Sequence, residues 1–126
     1  MASPFRERPL PNGLTVSYYD QSRCYFGDYY LVKLEIVCDV PVVQEYFTEE
    51  DDFREAKALL GEKSRYHRNV EQMGVPSTEI ERVRNRLVAD FEEHSLPYFA
   101  APEFPRKLVN AELKKMKKKM NRLSIR

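Results

Sequence analysis

Tryptophan is absent from this chain, and among its 126 residues there are only four glycines, two cysteines and two histidines. Each scarcity removes a class of chemistry. Four scattered glycines supply neither a phosphate-cradling loop nor a G-x-S-x-G nucleophile elbow. Cys24 and Cys38 make no C-x-x-C pair, and His67 and His94 make no H-x-x-x-H pair. Without a local ligand spacing, no metal, cofactor or catalytic set is expected. No apolar run approaches the roughly 18 residues of a membrane-spanning helix. The opening MASPFRERPLPNG carries charges where a secretory signal needs an apolar stretch. A cytoplasmic setting with reduced thiols is therefore the expectation.

What remains is ample apolar material and uneven charge. Fifteen Phe and Tyr residues, within a hydrophobic share of 42%, argue for a packed core rather than a disordered chain. The formal charge of +1 hides two opposed segments. Residues 44–56 hold six acids against Arg54, and residues 103–126 hold nine bases against Glu103 and Glu112.

The period-2 run of residues 28–43 sets the fold class. Tyr30, Val32, Leu34, Ile36, Cys38 and Val40 alternate with a mixed set, as in a half-buried strand whose first set faces inward. Pro41 removes a ladder donor and marks its end. Before it, residues 5–10 and 14–19 read as two strands joined through Pro11-Asn12-Gly13, a strong turn signal. Residues 20–27 read as a wide connecting loop. Asp20-x-Ser22, set between two strands, resembles the D/N-x-S-x-x-G element of cyclic-di-nucleotide-binding PilZ domains. Gly27 stands five residues after Ser22 instead of three, and Arg6 and Arg8 are one residue apart where that family has R-x-x-x-R. With both ligand motifs broken, no nucleotide site is carried over.

Downstream, Thr48 precedes acids that suit a helix N-terminus, and Gly61 suits its end. Residues 64–73 alternate and read as a polar edge strand in preference to a continued helix. Thr78 with Glu81 reads as a capping box for a helix over 78–94, ended by Pro97. The expected class is α+β, an antiparallel sheet of three to four strands in the order β-β-β-α-β-α-α, with helices on one face. Residues 1–100 are expected to form one domain. Residues 101–126 are read as a proline-bounded connector and a basic amphipathic helix.

Three groups of residues stand out. Arg23, Tyr25, Phe26 and Tyr29 are residue types that dominate protein contacts. Val109, Leu113, Met116, Met120 and Leu123 recur at spacings of 4, 3, 4 and 3, a coiled-coil seam suited to a dimer or partner helix. Lys114, Lys115, Lys117, Lys118 and Lys119 could bind anions. The leading functional expectation is a small non-enzymatic interaction protein that self-associates, with a homo-oligomer or another protein as partner. Nucleic-acid binding through the lysine-rich helix is the alternative, though no known motif supports it. An unrecognised small enzyme or metal site is the third.

Overall fold

In a computed structural model, which describes residues 3–124, the chain runs β1 (Arg6–Pro9), β2 (Thr15–Asp20), β3 (Arg23–Phe26), β4 (Tyr29–Pro41), α1 (Glu50–Leu60), β5 (Lys63–Pro76), α2 (Ile80–Ala100) and α3 (Phe104–Ser124). The class is the expected α+β, with five strands in an antiparallel sheet. The fifth strand lies where a loop was expected. Val16 stands opposite Cys38 and Asp20 opposite Leu34, and the same register continues with Arg23 opposite Leu31 and Cys24 opposite Tyr30. β2 and β3 are thus one line along β4, broken only at Gln21 and Ser22. There the Gln21 N–H donates to the Lys33 carbonyl at 2.8 Å, while the Lys33 N–H donates to the Ser22 hydroxyl at 3.1 Å. A serine side chain substitutes for one backbone acceptor, and that substitution makes the segment look irregular in sequence.

The described residues divide into two compact units, the first within Met1–Cys38 and His67–Ala100, the second within Asp39–Tyr66 and Ala101–Arg126. In the first, one sheet face is apolar, as the alternation requires. Val32, Leu34 and Ile36 are fully buried, each burial contributing about 1.5–3 kcal/mol. α2 covers this face. Val83 packs with Val32 and Val75, and Phe91 meets the Tyr18 ring edge-on at 6.1 Å between centroids. Polar contacts fix its placement: Arg6 donates to Asn85 at 3.1 Å, and the Asn12 amide donates to the Phe99 carbonyl at 2.7 Å.

α2 continues past the expected end at His94 and carries Pro97 inside it. Proline lacks one helix donor, but Phe91 and Phe99, on either side of it, are both buried and lie tilted against each other at 5.5 Å between centroids, a contact that favours a continuous helix. The expected capping box is replaced by a 3-10 turn over Ser77–Glu79 leading into Ile80. In the second unit, Glu49 rather than Thr48 occupies the N-cap of α1, with no side-chain cap, and Gly61 ends the helix at φ +84° as expected. Residues 64–73 are strand, within a β5 longer than the alternation marked.

Candidate functional site

The turn between β3 and β4 is two residues, Gly27 and Asp28, with Gly27 at φ +53°, a conformation that disfavours any side chain. Phe26 pairs with Tyr29 around it, and the register slips by one between Cys24 and Phe26, leaving Tyr25 as the extra residue of a bulge. The bulge re-aims the aromatic side chains. Tyr25, Phe26 and Tyr29 are 44%, 73% and 48% exposed. The Tyr25 hydroxyl reaches β5, lying 3.9 Å from where a Cβ on Gly74 would stand, and the adjoining Met73 is also exposed. Four large apolar side chains therefore share one end of the sheet.

Electrostatics around this tip are balanced. Arg23 and Asp28 are exposed, and neither has an ion-pair partner among the described residues. At the hairpin's base, the Ser22 N–H donates to Asp20 Oδ1 at 2.9 Å, and Arg84 donates to Asp20 Oδ2 at 2.9 Å. Burial raises the Asp20 carboxyl, but the Ser22 and Arg84 hydrogen bonds outweigh it and leave the group below its ordinary value. Arg84 also lies over the Phe5 ring at 4.9 Å. Cys24 is exposed, with its thiol 3.1 Å from the Gly27 carbonyl, and Cys38 is buried. On the polar sheet face, Glu35 takes a hydrogen bond from Gln21 at 3.3 Å and faces His67 Nε2 at 2.5 Å.

In the second unit, Asp39 is gripped by Arg65, with Nε to Oδ1 at 2.7 Å, and by Lys63 at 3.3 Å. The Arg65 hydrogen bond is the main reason its carboxyl sits low, and partial burial opposes the shift. The seam residues of α3 separate here. Val109 and Leu113 are buried, and α3 packs on α1 in this unit; Met116 is half-buried, and Met120 is exposed. Leu123 lies outside the described side chains. Among the lysines, Lys117 bridges Glu55 at 2.5 Å and Lys115 approaches Glu112 at 3.4 Å. Lys114, Lys118 and Lys119 are exposed and have no acidic partner among the described residues. A polar pocket of about 350 Å³ lies between Tyr46, Phe47, Asp52, Arg106 and Asn110.

No group of three or more His, Cys, Asp or Glu side chains converges among the described residues in a way that could hold a metal ion. No helix of the described residues is long and apolar enough to cross a membrane. Arg23, Tyr25, Phe26 and Tyr29, singled out by residue type, lie together on this hairpin, and Met73 was not among them. Only the pairing of β5 with β4 brings it alongside, and its own alternation carries no sign of that. Comparison with protein-family models, curated proteins and solved structures finds no match for the chain.

Proposed function

We propose that this chain is a small protein-interaction module whose partner is a second copy of itself, met through the β3–β4 hairpin tip. The observation that carries the reading is the exposure of Tyr25, Phe26 and Tyr29 around one tight turn, while Tyr18, Phe91 and Phe99 are buried. Tyrosine and arginine are enriched at interface hot spots because they pair large apolar area with a polar end. Recognition runs through side chains rather than strand addition. Asp20 already satisfies the Ser22 N–H, and the bulge at Tyr25 interrupts the open edge of β3. Charge argues for a second copy. A two-fold contact must be self-complementary, and Arg23 and Asp28 place one unpaired charge of each sign on the tip. Three exposed rings and Met73 fall short of the roughly 20–30 residues a side of a standard interface, so association is weak and concentration-dependent. Sedimentation velocity across a micromolar dilution series tests it. The wild-type average mass is expected to rise with concentration, and Phe26→Asp is expected to stay monomeric with an unchanged circular dichroism spectrum. A wild type that is monomeric throughout, or a Phe26→Asp variant that associates like it, contradicts the proposal.

A further inference from the structure

A second feature, separate from the hairpin, lies in the first unit between β5 and α2. It is a cleft of about 200 Å³ lined by Arg68, Val70, Leu87, Asp90, Phe91, His94 and Ser95. Its floor is apolar, since Phe91 is only 4% exposed and Leu87 packs against the buried Val32–Val75–Val83 cluster. Its polar groups are oriented. His94 Nδ1 lies 2.8 Å from the Asp90 carbonyl. A carbonyl oxygen only accepts, so the proton sits on Nδ1 and Nε2 is the nitrogen open to a ligand. The Asp90 carboxylate is 60% exposed and lies 4.0 Å from Arg86 Nε. Arg68 has no acidic partner among the described residues.

We propose that this cleft binds a small monocarboxylate with an apolar body, the carboxylate on the Arg68 guanidinium beside Ser95 and the body on Val70, Leu87 and Phe91. Three observations select that class. A single unpaired guanidinium calls for an anion and matches a carboxylate's two oxygens. The apolar floor calls for a hydrocarbon portion. The volume falls below the roughly 300 Å³ at which drug-sized sites begin, which limits the ligand to a few carbons or one ring.

Hexanoate and benzoate are the probes, with hexan-1-ol as the neutral control, titrated into isotope-labelled full chain and followed by amide chemical shifts. Saturable shifts are expected at Val70, Leu87, Phe91, His94 and Ser95. Binding should weaken about tenfold for hexan-1-ol and for Arg68→Ala, the usual scale for losing one charged hydrogen bond. Arg68 is exposed, so the variant's spectrum should keep its dispersion. Absence of saturable shifts at those five residues overturns the proposal. So does equal binding of hexan-1-ol, or an Arg68→Ala variant that binds hexanoate as tightly as the wild type.

Discussion

Replacing Tyr18 by alanine is expected to destabilise the first unit by about 3–5 kcal/mol, the range for deleting a buried aromatic ring. Tyr18 has no exposed surface, packs edge-on against Phe91 and lies 6.4 Å from the Phe5 ring. Its hydroxyl donates to Glu92 Oε2 at 2.9 Å, and Arg8 stands 3.8 Å from the other oxygen of that carboxylate. Burial, then the Glu92 hydrogen bond and charge, hold the phenol well above its ordinary pKa, so it remains a neutral donor at any physiological pH. Tyr18→Phe keeps the ring and removes only that bond. Its expected cost is about 1–2 kcal/mol, because Glu92 retains Arg8 and partial access to water. Urea unfolding followed by circular dichroism separates the two variants. Equal costs would mean that the hydrogen bond, and not the ring, dominates.

Val109→Asp is expected to have the second-largest effect, more than about 3 kcal/mol on the second unit, because it buries an unpaired carboxylate. Val109 has no exposed surface, whereas Met120, on the same seam, is 48% exposed. Met120→Asp should therefore change stability by no more than about 0.5 kcal/mol, as surface changes do. Hydrogen exchange of the α3 amides reads the contrast. Exchange should accelerate throughout α3 in Val109→Asp and stay at the wild-type rate in Met120→Asp. If both variants left exchange unchanged in dilute protein, Val109 would not be acting as core of its own unit.

The seam illustrates how far the sequence can be read. The 4-3-4-3 spacing shows correctly that α3 has one apolar side, but not which surface that side meets. Periodicity places residues on one side of a helix; how much of that side is buried, and against what, takes tertiary contact, as the exposed Met120 on the same seam as the buried Val109 shows. The alternation of residues 28–43 was legible for the same reason, since each even position from Val32 to Val40 is buried. β3 was not legible. Its four residues are all exposed, so no alternation of burial marks them, and the strand is imposed by register with β4. The run of α2 through Pro97 was likewise hidden. Local propensity there favours a break, and the Phe91–Phe99 contact that overrides it is a property of the folded helix. Residue type alone singled out the hairpin's aromatic residues. Their exposure, 44% to 73% for Tyr25, Phe26 and Tyr29, is a property of the folded hairpin that residue type does not give.

The most direct measurement of the account is charge exchange at the hairpin tip, read by sedimentation velocity on Arg23→Asp, on Asp28→Arg and on an equimolar mixture of the two. In a two-fold contact, Arg23→Asp alone sets like acids together and Asp28→Arg alone sets like bases together, so each should associate more weakly than the wild type. The mixture restores both opposite-charge pairs, and its average mass should return toward the wild-type value at the same total concentration. A mixture whose mass is only the mean of its two components would contradict association of two copies through this tip.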